Sequence, residues 1–270
     1  MAASFAHPAP ASPVVGFVLF AQAAPSASAV QDALRDEFGD AVAVQVVEVE
    51  GKGPVETVVV AADGVTALCT PVDASLPEAE VLRACHPVWW RDDPDAVRDH
   101  RSHVIVTTLH ASPSADPRAQ ALRESTVFSL VAAKVAALPD AVAVYAGAAG
   151  IALPAEAYRR TVEASVEAEQ LPVELWASVW LIPEADGSHS AYTLGLDTFG
   201  HTDLVVEHSR RHPSDLYHLL FSLAAHVIAT GTPLQPGNSV GTSADERLPL
   251  RARHSGIHNR LVLEVGDTGA

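Results

Sequence analysis

Four residues of the N-terminal half carry side chains that could bind a metal ion or a small ligand: His86, Asp99, His100 and His103. Imidazole nitrogens and carboxylate oxygens bind a divalent metal when three or four of them converge at about 2 Å from the ion. If a helix ends near residue 100 and a strand begins at 103, His100 and His103 need not point the same way. We therefore treat the four residues as a candidate ligand or metal site and expect no bound metal.

A structural role also accounts for these histidines. The negative end of a helix dipole stabilises an imidazolium, which suits His100 at the end of a helix, and His103 suits the start of a half-buried strand. Convergence of the side chains in one cleft would distinguish a ligand site from this alternative.

The clearest basic stretch of the chain lies near the C-terminus, and its arginines form a candidate anion-binding site: Arg247, Arg251, Arg253 and Arg260. A phosphate or an acidic peptide could bind there. The alternative is a solvated strand edge, where charges oppose pairing with other strands. The formal charge of the whole chain is −16, which argues against nucleic acid and anionic membranes as partners.

Catalytic and cofactor motifs give no positive signal. Cys85 and His86 are adjacent in sequence, but neighbours rarely aim at each other, and a catalytic thiol needs its base across a cleft. No G-x-S-x-G elbow and no complete nucleotide motif occurs, so we expect no cofactor and incline towards a protein without enzymatic activity. Two cysteines in 270 residues are typical of a reducing cytoplasm.

Hydrophobic periodicity predicts alternating strands and helices in the N-terminal half. The pattern is strand, helix, three strands, a short helix and a further strand, over 14–20, 28–38, 42–49, 55–62, 65–70, 77–85 and 104–109. Asp63-Gly64 predicts a tight hairpin turn between two of these strands. Residues 1–13 are rich in Ala, Ser and Pro and predict a disordered leader, and the apolar run 14–21 is shorter than the roughly 20 residues needed to cross a bilayer.

The C-terminal half predicts a similar order of elements. A long helix begins at Asp116-Pro117 and ends before Pro139. A strand at 141–145, a helix at 154–169, strands at 173–182, 189–195 and 202–208, and a helix at 214–230 follow. The predicted fold is α/β (α+β), with two tandem ferredoxin-like βαββαβ-type units that have extra strands. The predicted organisation is a leader at 1–13, units at 14–110 and 139–265 joined by a linking helix at 111–138, and a tail at 266–270.

One nonapeptide, residues 192–200, has an unusual pattern of two glycines around an apolar turn. The residues that carry the pattern are Tyr192, Thr193, Gly195, Leu196, Phe199 and Gly200. With Trp89-Trp90, residues 100–107 and the turn at 237–241, it resembles the bacterial family known as domain of unknown function 4261, from about residue 14 to 265. Members often carry a carboxylate just before the next strand, where this chain has His201-Thr202-Asp203. The resemblance implies no known activity.

These observations favour a non-catalytic accessory or interaction protein of the bacterial cytoplasm, with a protein partner that the sequence does not identify. An immunity or regulatory protein whose acidic surface binds a basic partner is one form of this hypothesis. The alternative is an enzyme or ligand-binding protein with a metal or small-molecule site around His86, Asp99, His100 and His103. We predict that the nonapeptide is a structural corner between strands, in which Asp197 matters little unless it caps the turn.

Overall fold

The computed structural model describes residues 5–49, 53–91, 94–110, 115–241, 243, 245–256 and 259–267. These residues form two compact units. The first unit comprises residues 12–175, and the second comprises residues 176–267 together with residues 5–11. In the part of the chain that is described, no helix combines the length and the apolar character that a membrane span requires.

The first unit is a seven-stranded antiparallel sheet with helices against it. Its strands are β1 (Val14–Phe20), β2 (Val42–Val49), β3 (Gly53–Ala62), β4 (Val65–Val72), β5 (Ser102–His110), β6 (Ala141–Ala146) and β7 (Ile151–Pro154). Its helices are α1 (Ala27–Phe38), α2 (Glu78–Ala84), α3 (Asp95–Arg98), α4 (Pro117–Val135) and α5 (Ala155–Glu167). The strand order is β2-β3-β4-β5-β1-β6-β7, so β1 lies between β5 and β6.

Burial explains why β1 is continuously apolar. Leu19 belongs to a buried cluster with Val81 of α2 and Val97 of α3. Because side chains alternate along a strand, Gly16 faces the opposite side of the sheet, where α4 packs. A Cβ at Gly16 would lie only 2.4 Å from a ring atom of Phe128, so this glycine allows α4 to approach the sheet closely.

The second unit is a six-stranded sheet with one long helix. Its strands are β8 (Ser178–Pro183), β9 (His189–Leu194), β10 (Leu204–Ser209), β11 (Ser239–Val240), β12 (Leu248–Ser255) and β13 (Arg260–Val265). The helix is α7 (Pro213–Thr230), and the short helix α6 (Val173–Trp176) spans the division between the units. The order is β11-β12-β13-β10-β9-β8, with β10 and β13 parallel and the other pairs antiparallel.

Several local predictions are confirmed. Strand 14–20 has the predicted bounds, and α4 begins after Asp116, whose side chain accepts a hydrogen bond from the backbone N–H of Ala119 at 3.0 Å. The predicted hairpin is also present, with Asp63 and Gly64 at φ 51° and 75°, the left-handed conformations that the turn requires.

The long-range organisation differs from the predicted one. The units divide between residues 175 and 176. β6 hydrogen-bonds to β1, and β7 pairs with β6, so these strands and the helix α5 that follows them belong to the first unit. The strand and the helix that were predicted to begin the second βαββαβ-type unit, at 141–145 and 154–169, therefore lie in the first unit. The predicted strand at 173–182 begins with α6 instead, and only Ser178–Pro183 is extended.

The predicted leader and tail also differ from the structure at their described residues. Residues 5–11 belong to the second unit, where the ring of His7 hydrogen-bonds to Thr202 and to the carbonyl of Leu234. The composition of the segment could not show this, because a single polar side chain anchors it. In the tail, the carboxylate of Asp267 forms an ion pair with Arg211 at 3.0 Å.

Candidate functional site

The nonapeptide forms a tight corner between β9 and β10. Leu196–Phe199 make one 3-10 turn, flanked by Gly195 at φ 102° and Gly200 at φ 77°. Both angles lie in the left-handed region, which glycine adopts without the strain that a Cβ would introduce. Leu196 and Phe199 are buried, and the ring of Phe199 lies 5.5 Å from that of Trp176. The corner is therefore a packed and rigid support for the polar residues beside it.

Asp203 is held in the interior at the end of this corner, directly before β10. Its side chain is fully buried. One carboxylate oxygen, Oδ1, accepts hydrogen bonds from the hydroxyl of Thr193 at 3.0 Å and from the backbone N–H of Leu196 at 3.3 Å. Thr193 in turn accepts the backbone N–H of Leu204 at 2.9 Å. These bonds tie the corner to both strands and fix the direction of the Asp203 carboxylate.

Arg260 bridges two carboxylates at this position. Its guanidinium donates to Oδ2 of Asp197 at 2.5 Å and to Oδ2 of the buried Asp203. Burial raises the pKa of Asp203 to about 7, and the nearby Asp197 charge also raises it, while Arg260 and the two hydrogen bonds to Oδ1 lower it. The Asp203 carboxyl can therefore exchange a proton near neutral pH, while Arg260 stays charged.

These residues line a pocket of about 220 Å³ in the second unit. Asp197, Asp203 and Arg260 supply its charges, and Leu261 supplies apolar surface. Its other lining residues are Ala6, Pro8, His201 and Thr202. The arrangement places a carboxyl group with a near-neutral pKa and a guanidinium side by side at the wall of the pocket.

The candidate histidines of the first unit are committed to the backbone. His100 is buried, and its Nε2 accepts the backbone N–H of Leu76 at 2.9 Å while its Nδ1 lies 2.6 Å from the carbonyl oxygen of Val97. A metal bound at either nitrogen would replace one of these bonds. His100 therefore fastens the connection before α2 to the loop after α3.

The other members of that group do not complete a site. Nδ1 of His103 lies 2.7 Å from the carbonyl oxygen of Ala74, and burial lowers the pKa of His103. Nδ1 of His86 accepts the backbone N–H of Val88, and Asp99 is exposed. Among the described residues, no three histidine, cysteine or acidic side chains are placed to hold a metal ion.

The two thiols are held in their neutral form. Burial raises the pKa of Cys69 to about 12 and that of Cys85 to about 11. The Cys85 thiol donates to the carbonyl oxygen of Val81 within α2. A thiolate nucleophile beside His86 would require a lowered thiol pKa, and burial moves it in the opposite direction.

The four arginines of the basic stretch differ in their surroundings: two form ion pairs with nearby carboxylates, and two are exposed. Arg253 binds Glu207 at 2.6 Å and Glu264 at 3.2 Å, and Arg260 binds the two aspartates of the pocket. Carboxylates therefore offset the charge of these two arginines. Arg247 and Arg251 are exposed, and Arg251 lies opposite Glu264 in the sheet.

The edge of the first sheet presents a different kind of surface. β2 is the terminal strand in the sheet order and pairs with β3 along its full length. Three of its valines are unusually exposed for their type, at 36% for Val44, 63% for Val46 and 46% for Val47. We call the side of β2 that faces away from β3 the outer edge of β2.

The chain is a mixed α/β protein. In its second unit, a corner flanked by two glycines supports the buried carboxylate of Asp203, which lies at a pocket. Residues 192–265 match the family described as Domain of unknown function (DUF4261), which confirms the resemblance over that range. The range includes the nonapeptide and the turn at 237–241 but not Trp89-Trp90 or residues 100–107. No curated protein and no solved structure matches the chain.

The sequence patterns did not identify the ion pairs that Arg260 forms with Asp197 and Asp203. Asp197 is predicted above to matter little unless it caps the turn, and no role is predicted for Asp203, yet both bind Arg260. The available signal was an aspartate placed directly before an apolar strand. Its basic partner is 57 residues away in sequence, so spacing alone could not have paired them.

Proposed function

We propose that the chain is a non-catalytic interaction protein that binds an extended, basic segment of a partner protein along the outer edge of β2. The observation that carries this proposal is an eight-residue terminal strand on which three valines are exposed. A partner strand would cover these valines and bond to the backbone groups of the edge, as in β-strand addition.

The composition of β2 lacks the residues that usually protect a sheet edge. Natural proteins place lysine, proline or inward-pointing charges on edge strands, because unpaired N–H and C=O groups attract other strands. The eight residues of β2 contain neither lysine nor proline, and Glu48 is their one charged residue. An exposed and nearly uncharged edge is expected where pairing with another chain is the function.

Charge indicates the chemistry of the partner. Asp36, Asp40 and Glu56 are exposed on the elements adjoining β2, and Glu56 lies directly opposite Val46 in the hairpin of β2 and β3. The chain as a whole carries a formal charge of −16. A segment that alternates apolar and basic residues would cover the valines and complement the acids.

Binding of a synthetic probe tests the proposal. The probe is a short peptide that alternates valine and lysine, and its affinity is measured by isothermal titration calorimetry. We expect Val46→Lys to weaken binding by about tenfold or more, because it places a like charge and a polar head in the apolar contact. The matched control is Val166→Lys on α5, where the original valine is 60% exposed, and it should bind as the wild type does.

Two further peptides separate strand addition from charge attraction. A peptide with N-methylated backbone amides keeps its charge but lacks N–H donors, so it should bind much more weakly. A peptide with glutamate in place of lysine should also bind more weakly, because the acids near β2 repel it. Equal binding of the N-methylated peptide, or an unchanged affinity of the Val46→Lys protein, would rule out pairing at this edge.

The biological setting that we propose is a bacterial cytoplasm, in which this surface serves an immunity or regulatory role. The acidic character of the chain supports a basic partner, and a fixed neighbouring gene would identify it. Co-purification of that gene's product with the wild type, but not with Val46→Lys, would support the role.

We further infer that the first unit is an extended ferredoxin-like unit. The order β1, α1, strands β2 to β5 with α2 and α3 before the last of them, α4 and β6 supports this description, because β6 returns to pair with β1 on the side opposite β5. In this description β3 and β4 are the extra strands, and they separate β2 from β5 in the sheet.

A further inference from the structure

Residues 5–11, which we call the strap, are held against the nonapeptide corner of the second unit. The backbone N–H of Ala11 donates to the carbonyl oxygen of Asp197 at 3.2 Å. Ala6 and Pro8 form part of the wall of the pocket that contains Asp203 and Arg260. The strap therefore covers one side of this pocket, and its removal would open the pocket on that side.

The side chain of His7 anchors the strap through hydrogen bonds. These hydrogen bonds are satisfied by the neutral imidazole with its hydrogen on Nε2. Nδ1 accepts the backbone N–H of Thr202 at 3.1 Å and lies 3.1 Å from the hydroxyl oxygen of the same residue. Nε2 lies 2.9 Å from the carbonyl oxygen of Leu234, so it must carry the hydrogen and donate. The ring is consequently neutral, with its proton on Nε2.

Protonation of His7 would break one of the hydrogen bonds that hold the strap. A second proton would lie on Nδ1 and point at the backbone N–H of Thr202, which is also a donor. The hydroxyl oxygen of Thr202 could still accept from the protonated Nδ1, but the backbone N–H of Thr202 would lose its acceptor and face a second N–H group. Histidine is the side-chain type that changes charge between about pH 5 and 8.

The corner is shaped to receive the strap. A Cβ at Gly200 would lie 3.0 Å from two ring carbons of Pro10 and 3.4 Å from the carbonyl oxygen of Pro8. Glycine at this position thus serves two purposes, the left-handed backbone of the corner and the close approach of the strap. The rings of Phe5 and His201 flank His7, with centroids at 5.0 and 5.9 Å.

We propose that the strap is a pH-dependent cover of the pocket, closed while His7 is neutral and released when His7 takes up a proton. The titratable groups near His7 are the ring of His201 and, across the pocket, Asp197, Asp203 and Arg260. The aspartates favour a cation, but Arg260 already bridges both of them and offsets their charge. The donor conflict at Thr202 therefore determines the direction of the response. Release exposes the paired carboxylates and guanidinium to solvent and to polar ligands.

Hydrogen exchange of two backbone amides in the full chain reports directly on the strap. The amides of Ala11 and Thr202 donate across the contact, so each is protected while the strap is closed. We expect their protection factors, corrected for intrinsic exchange, to fall about tenfold or more between about pH 7.5 and pH 5.5. The amide of Leu263, which donates to the carbonyl oxygen of Asp203 within the sheet, should keep its protection and serves as the internal control.

Variants identify the group that titrates. His7→Gln offers an uncharged acceptor and donor, so it should lose the pH dependence, whereas His7→Ala should leave both amides poorly protected at either pH. His218→Gln changes an exposed histidine of the same unit and should behave as the wild type does. Asp203→Asn should keep the response if His7 is the switch.

The results that would overturn the proposal are equally specific. Protection that is constant with pH in the wild type would show that His7 stays neutral in a permanently closed strap. A response that survives in His7→Gln but disappears in Asp203→Asn would assign the switch to the pocket carboxyl. Loss of protection at Leu263 together with Ala11 would indicate unfolding of the unit and not release of the strap.

Discussion

Replacing Asp203 by Asn should remove a pH dependence from the stability of the second unit. Burial raises the pKa of Asp203 to about 7 in the folded protein. An aspartate in an unfolded chain has a pKa of about 3.9. Between these two values the folded state holds a proton that the unfolded state has released. Stability associated with Asp203 is therefore greatest at low pH and declines as the pH rises towards 7.

The size of the effect follows from the same shift. Each pH unit within that window changes the free energy of unfolding by about 1.4 kcal/mol for one proton. Between pH 5 and 8, only the roughly two pH units below the folded pKa of about 7 contribute. The free energy of unfolding of the wild type should therefore fall by about 2–3 kcal/mol because of Asp203. The Asn side chain has no proton to release and keeps an oxygen that can accept from Thr193. The Asp203→Asn protein should therefore show a flatter dependence by that amount.

Urea titrations at several pH values measure this difference. The backbone amide signals of β10 and β13 should be followed by NMR, because they report on the second unit alone. Asp215→Asn is the matched control, since it makes the same chemical change at an exposed position of α7. It should retain the wild-type dependence on pH.

Two outcomes would refute the reasoning. Wild-type stability that rises from pH 5 to pH 8, with the rise lost in Asp203→Asn, would mean that attraction to Arg260 outweighs burial and lowers the pKa of Asp203. An identical dependence in wild type and Asp203→Asn would mean that Asp203 titrates at the same pH in the folded and unfolded states.

Two further predictions concern the corner and the histidines. Gly200→Ala should destabilise the second unit by roughly 1 kcal/mol or more, because φ is 77° there and the strap packs against the position; an unchanged urea midpoint for β10 amides would contradict it. His100→Ala should lower the stability of the first unit by about 1–3 kcal/mol, because two backbone groups lose their partner, and elemental analysis should find no stoichiometric zinc, iron or manganese in wild type or variant. One such metal per wild-type chain, lost in the variant, would support the metal site and contradict the structural role of His100.

Sequence patterns located most elements of this fold because local physics determines them. The apolar run at 14–20 predicts a strand, and Asp63-Gly64 predicts a tight hairpin turn, and the structure has both. Asp116-Pro117 marked the start of α4 through a cap and a missing N–H. Each of these signals depends on residues within a few positions of one another, so the sequence displays it directly.

The same patterns could not assign elements to sheets. The strand at 141–146 has the composition of an edge or a central strand in either unit, and its pairing with β1 placed it in the first. That pairing joins residues more than 120 positions apart, and no local feature of the strand encodes it. The division into units follows from this long-range choice.

The candidate sites divide in the same way. The sequence by itself determined the acidic charge, the glycines that make the corner between β9 and β10, and the apolar, lysine-free composition of β2. Only the tertiary structure decided that Arg260 reaches Asp203, that His7 reaches Thr202, and that both nitrogens of His100 are committed to the backbone. The physical reason is that composition and turn geometry depend on near neighbours, whereas a buried ion pair or a histidine anchor depends on which distant segments the packed core brings together.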